Sequence, residues 1–219
     1  MKTTVIENFL SDDEIFEIEK TFRIKHDTIM HKELTEQENI SHALRWFPGP
    51  SYQKELCMFM DKKIQNYFSN NVCDNWHILN AYNPYGIHTD SLDENVESYT
   101  HSLPAGYAFG YTFLIPLNEY NTNTIVFNEG SDKMKVSTNW ITSENRSPQG
   151  LISNEIYEKY LTNQSKELVD YFSIDTIFPW RKGSILAMPR TKFHCSDNFI
   201  IKNMFEKRAL IGWSLTSEE

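Results

Sequence analysis

Two imidazoles and a carboxylate that meet in space can hold a divalent metal, so the seven histidines, at 26, 31, 42, 77, 88, 101 and 194, are the place to begin. A histidine with an acid two residues on is the usual local half of a mononuclear iron site. On a strand, side chains i and i+2 share one face and can grip one ion. With seven histidines and 30 acidic residues in 219, an accidental pair of this kind is expected. The chain carries His31-Lys32-Glu33 and His88-Thr89-Asp90. Context separates them. His31 and Glu33 lie in the polar run HKELTEQENI, which reads as a solvated face. His88 and Asp90 follow WHILNAYNPYGI, a strand pattern with an Asn-Pro turn and Gly86, where a rigid strand can fix donors at a cavity mouth.

The third donor must come from far along the chain. His194 follows GSILAMP, a buried-strand pattern, through the connection PRTKF. On its own it would read as a hydrogen-bonded loop histidine. Arg208 shifts that weighting, because it opens the otherwise apolar strand RALIGWSL and needs an anionic partner. By strand parity Arg208, Leu210 and Gly212 share one face, and Ala209, Ile211 and Trp213 the other. If the first set lines a barrel, the guanidinium sits over a small floor at Gly212 and can grip a carboxylate bidentately. A salt bridge to Glu206 or another acid is the plainer alternative.

The elements that must position these groups come in two textures. Ser11 is an N-cap candidate ahead of Asp12, Asp13 and Glu14, and Ile15, Ile18 and Phe22 recur at helical spacing, which predicts a helix over about 12–23. Leu56, Met60, Ile64 and Tyr67 make a second stripe, over about 51–69, stopped by Asn70 and Asn71. After residue 74 come WHILNAYNP, GYAFGYTFLIPLN, NTIVFNEG, GSILAMP and KRALIGWSLT, rich in aromatic and β-branched residues, all strand signals. One helical stretch, about 153–171, interrupts them inside a long insertion at about 121–181, and reads either as a lid or as a structural flank. Helices first and strands later imply helices packed on one face of a mostly antiparallel sheet system. Cys195 reads as a packed thiol, and Trp180-Arg181-Lys182 and Arg190 as surface groups able to meet an anionic substrate.

Length and composition set bounds. A 219-residue chain fits one domain, with 1–74 as helical support and 75–215 as the β core, and 40% hydrophobic with 23% charged residues is an ordinary globular mix. The net charge of −9 is the opposite of what phosphate neutralisation needs, so nucleic-acid binding is not favoured. No apolar run reaches the ~20 residues that span a bilayer, and the start lacks an apolar signal core. Three cysteines with no CxxC pair suit a reducing cytoplasm.

His88-Thr89-Asp90, His194 after a G-x-x-L-x-x-P strand, and Arg208 beyond it resemble the 2-oxoglutarate/Fe(II)-dependent oxygenases. The prolyl-4-hydroxylase-like branch, small phage-encoded members included, is similar also in the opening segment VIENFLSDDEIFEIEK. The resemblance spans nearly the whole chain. It implies a mainly β fold with flanking helices, a double-stranded β-helix (jelly-roll, cupin-like) barrel with the N-terminal helices on one sheet. It implies Fe(II) held by His88, Asp90 and His194, with 2-oxoglutarate as cosubstrate and O2, and it admits ascorbate. Arg208 would bind the distal carboxylate of 2-oxoglutarate, helped by Tyr82 and Asn80. The implied reaction is hydroxylation of a small-molecule or peptidyl substrate, prolyl or amino-acid-like, coupled to decarboxylation of 2-oxoglutarate to succinate. Asp90 argues against halogenase variants, and Ser214 stands where the nucleic-acid demethylase branch has a second arginine. The rivals are a cupin-type metalloenzyme, which tends to use three histidines, and a non-enzymatic jelly-roll module in which His88 and His194 never meet.

Overall fold

The computed structural model describes residues 1–24, 29–34, 41–90, 106–131 and 147–217. Its centre is a seven-stranded antiparallel sheet in the order β1-β8-β5-β10-β4-β3-β2, faced by a three-stranded sheet in the order β7-β6-β9. The strands are β1 (Thr4–Ile6), β2 (Ile29–Leu34), β3 (Ser41–Phe47), β4 (Asn71–Ala81), β5 (Tyr107–Pro116), β6 (Asn123–Gly130), β7 (Ile174–Pro179), β8 (Ile185–Pro189), β9 (Lys192–Ser196) and β10 (Lys207–Ser217). Two packed antiparallel sheets with this order make the double-stranded β-helix expected from the sequence.

Helix α1 (Asp12–Ile24) starts where the sequence places it. The Ser11 hydroxyl accepts from the Glu14 amide, and the Glu14 carboxylate accepts in return from the Ser11 amide, a reciprocal cap. Helix α2 (Pro50–Ile64) is shorter than the expected 51–69, closing at Gln65 before the asparagines. Both helices lay their apolar faces on the outside of the large sheet. Ile15, Ile18, Phe22, Leu56, Met60 and Ile64 pack there against Trp76, Ile78, Phe113, Ile115 and Leu210. Burying each such side chain contributes about 1.5–3 kcal/mol, so this layer anchors the sheet. Gly212 serves it. A Cβ at that position would lie 2.5 Å from the Trp76 ring, so only glycine lets the indole lie across β10.

The opposite face of the large sheet turns toward the small one, and Leu79, Leu114, Val126, Phe178, Trp180, Leu186, Met188 and Ile211 fill the space between. The N-terminal part is therefore not only helical support, since β1, β2 and β3 all extend the large sheet. The insertion differs from expectation too. Instead of one helix over 153–171 it forms short turns at Asn154–Ile156, Tyr157–Leu161 and Lys166–Val169. Leu161, Val169 and Phe172 pack with Ile125, Phe127, Phe193 and Cys195 on the outside of the small sheet, so these turns form a flank on it. Among the described residues no helix is long and apolar enough to cross a membrane.

Candidate metal centre

His88 and His194 are brought together by the backbone before any side chain acts. The His88 amide donates to the His194 carbonyl at 3.0 Å, and the His194 amide to the His88 carbonyl at 2.9 Å, an isolated antiparallel bridge that ties the segment after β4 to β9. Two residues on, the Asp90 amide donates to the Arg190 carbonyl at 2.9 Å, and Arg190 Nε donates back to the Asp90 carbonyl at 3.2 Å. The His-x-Asp segment thus lies as a strand along the edge of β9. Parity then directs His88 and Asp90 to one side, as the i, i+2 argument requires.

The donor atoms of His88, Asp90 and His194 all lie within 4.8 Å of one another. His88 Nδ1 is 2.7 Å from the Gly86 carbonyl, and His194 Nδ1 3.2 Å from the Lys192 carbonyl. A carbonyl only accepts, so each Nδ1 carries the hydrogen and each Nε2 presents its lone pair. Thr112 on β5 donates its hydroxyl to Asp90 Oδ2 at 2.7 Å, and His194 Nε2 stands 3.5 Å from the same oxygen. Burial, and then the charge of His194, push the His88 imidazole down to about 4. Burial raises the Asp90 carboxyl, but both histidines and the Thr112 bond outweigh it and bring the group below its ordinary value. Neutral His88 and ionised Asp90 are the protonation states that ligate. With two imidazole nitrogens and one carboxylate converging, the donor set fits an octahedral divalent ion capped on one face.

The triad opens on a cleft between the sheets. Its lining includes Arg45, Tyr85, Thr112, Thr124, Trp180, Ser196, Lys207 and Ile211. Arg208 is not among them, nor are Asn80 and Tyr82. Arg208 stands on the helix face of β10 with Leu210, and its guanidinium pairs with Glu19 of α1 at 3.1 Å. Asn80 lies opposite Arg208 in the β4–β10 register, on that same outer face. The parity assigned to β10 from sequence is therefore inverted: Ala209 and Ile211 face inward, and so does the preceding lysine.

Lys207 is the cation that the sequence reading missed. It is 2% exposed, donates to Ser196 Oγ at 2.8 Å, and stacks over Trp180 at 4.2 Å and Phe199 at 5.0 Å. Burial is the largest influence on its ammonium, which falls to about 7. Tyr85, not Tyr82, is the cleft tyrosine, its ring 5.5 Å from that of His88. Trp180 and Arg190 are buried rather than surface groups, while Arg181 and Lys182 are the exposed partners of Glu7 and Asp12. Cys195 is packed as expected, and burial raises its thiol well above the ordinary value. The side chains of His31 and Glu33, and His26 and His101, lie outside what the structure describes.

The strand order defines the double-stranded β-helix fold, and His88, Asp90 and His194 give it a candidate metal site. No protein-family model matches the sequence, and no curated protein matches it either. Solved structures do share the fold. The epimerase SnoN from nogalamycin biosynthesis, in complex with Fe3+, alpha ketoglutarate and nogalamycin RO, superposes with a TM-score of 0.57 at 11% identity, over 98% of this chain and 78% of its own. HygX from Streptomyces hygroscopicus, with nickel and 2-oxoglutarate bound, gives 0.53 at 13% identity over 98% and 82%. A 2OG-Fe(II) oxygenase family oxidoreductase from Burkholderia pseudomallei gives 0.53 at 10% identity over 99% and 85%. At such identities the likeness is one of fold.

Proposed function

We propose that this protein is a non-haem Fe(II)- and 2-oxoglutarate-dependent dioxygenase that hydroxylates a small-molecule substrate. The observation that carries the reading is the convergence of His88, Asp90 and His194 at the edge of a cleft whose inner part holds the buried cation Lys207. A ferrous ion bound by the triad supplies O2 activation coupled to decarboxylation of 2-oxoglutarate to succinate. The remaining tasks fall to the chain. Asp90 keeps its charge and orientation through Thr112 and the Arg190 backbone bond. Lys207 and the Ser196 and Thr124 hydroxyls are set to hold the distal carboxylate of 2-oxoglutarate, the role first given to Arg208. Trp180, Leu114, Met188 and Ile211 keep the inner cleft apolar, which strengthens that ion pair and excludes water.

An epimerase and a 2OG-Fe(II) oxygenase family oxidoreductase share this one fold, as the structural neighbours illustrate. Asp90 completes the triad and leaves open positions only for cosubstrate and oxygen, which favours hydroxylation over halogenation. Purified protein with Fe(II) and O2 should convert 2-oxoglutarate to succinate, faster when a substrate is present. A protein loaded with iron that releases no succinate from 2-oxoglutarate would contradict the assignment.

A further inference from the structure

Two hydroxyls at the inner end of the cleft accept hydrogen bonds and keep their own hydrogens unspent. Thr124 on β6 and Ser196 on β9 stand directly opposite each other in the β6–β9 register, so their side chains share one face of the small sheet. The Thr124 oxygen accepts the indole hydrogen of Trp180 at 2.8 Å, and the Ser196 oxygen accepts from the Lys207 ammonium at 2.8 Å. Both residues are buried, at 4% and 5% exposure, and both line the cleft. Neither hydroxyl hydrogen meets an acceptor among the described residues. Buried polar groups are normally satisfied, and a hydroxyl that already accepts from a fixed N–H is left to donate. Together with the ammonium, the pair is matched to a group that only accepts, which is a carboxylate.

Trp180 decides how the Thr124 hydroxyl is turned. An indole N–H only donates, so it claims one side of the Thr124 oxygen and excludes the hydroxyl hydrogen from that side. The indole itself has little freedom. It is 1% exposed, its amide donates to the Thr122 carbonyl at 3.0 Å, and its carbonyl accepts from the Tyr120 amide at 3.1 Å. The Tyr120 ring packs edge-on against it at 5.9 Å. The face of the same indole lies 4.2 Å from the Lys207 ammonium. One pinned side chain thus touches two of the three donors, Thr124 through its N–H and Lys207 through its ring. Donors fixed before the ligand arrives bind it at a smaller ordering cost.

We propose that Trp180 is a positioning residue for the cosubstrate. Its indole hydrogen bond holds the Thr124 hydroxyl with its hydrogen directed at the distal carboxylate, so that the pocket selects a keto diacid over a keto monoacid. The proposal rests on the iron and 2-oxoglutarate reading above.

The test uses the full chain loaded with Zn(II), which does no redox chemistry. Calorimetric titration compares 2-oxoglutarate with 2-oxopentanoate, which has a methyl group in place of the distal carboxylate. The ratio of the two affinities reads the distal pocket alone. Trp180→Phe keeps a ring beside Lys207 but has no indole hydrogen. It should lower the ratio by about tenfold, the scale of one hydrogen bond to a charged group, and leave 2-oxopentanoate affinity unchanged. Thr124→Val should lower the ratio comparably, and Trp180→Phe added to Thr124→Val should lower it no further. The proposal is overturned if folded Trp180→Phe keeps the wild-type ratio, if it weakens both keto acids alike, or if its effect is undiminished on the Thr124→Val background. A wild-type protein that binds the two keto acids equally would remove the parent reading, and the proposal with it.

Discussion

Lys207 donates a hydrogen bond to Ser196 across 2.8 Å inside the cleft, one residue before Arg208 leaves through the other face of the sheet to meet Glu19. Adjacent cations on one strand thus serve opposite layers. That division assigns them different consequences when removed.

Lys207→Met should weaken 2-oxoglutarate binding by about 2–5 kcal/mol, the cost of truncating one partner of a buried charge pair. Arg208→Ala should leave that affinity unchanged and instead lower stability by about 1–2 kcal/mol, since its pair with Glu19 is only partly exposed. Calorimetric titration and denaturant unfolding of the two variants separate the roles.

The lysine also sets a pH dependence. Its folded value is about 7 against an ordinary 10.5, so between these the unfolded chain binds more protons than the folded one. Stability of the cosubstrate-free protein should therefore rise with pH across that window, and carry the full cost of the buried ammonium below it. Binding of 2-oxoglutarate needs the charged lysine, so its affinity should fall above pH 7 by up to about tenfold per pH unit. Titrations on either side of pH 7 check the sign, and Lys207→Met should flatten the profile.

Thr112→Val keeps the shape but removes the 2.7 Å hydrogen bond to Asp90. Loss of such a support costs about 10–100-fold in metal affinity. Competition with a metal-sensitive dye measures it, and an unchanged affinity would show that Asp90 is held by its backbone alone.

Gly212→Ala places a methyl 2.5 Å from the Trp76 ring. Neither β10 nor the indole, locked between sheet and helices, can yield cheaply. A loss of about 1–3 kcal/mol in unfolding free energy is expected.

Much of this site could be read from residue order, and the part that could not has a physical cause. His88-Thr89-Asp90 declared itself because the pair follows a strand and a turn, and His194 because a buried strand delivers it. The N-terminal helix was legible from its cap and stripe, and its start agrees with the structure. The misplaced cation came from β10 itself. Both faces of that strand are buried, one under α1 and α2 and one against the small sheet, so both parity sets are apolar and the pattern does not say which faces inward. Strands β1, β2, β3, β7 and β9 are short or carry polar and charged residues, and none gave a clear signal. Arg45 went unnoticed as a cleft residue for that reason, since its place there depends on β3 pairing with β4, a contact no local pattern encodes.

In the proposed function His88, Asp90 and His194 jointly hold Fe(II) with room for a chelating 2-oxoglutarate. Anaerobic titration of Fe(II) into protein with 2-oxoglutarate tests it by visible absorption. A metal-to-ligand charge-transfer band should saturate at one iron per chain and disappear in Asp90→Ala and His194→Ala. A wild-type protein that binds iron without the band, or a band that persists in folded His194→Ala, would contradict it.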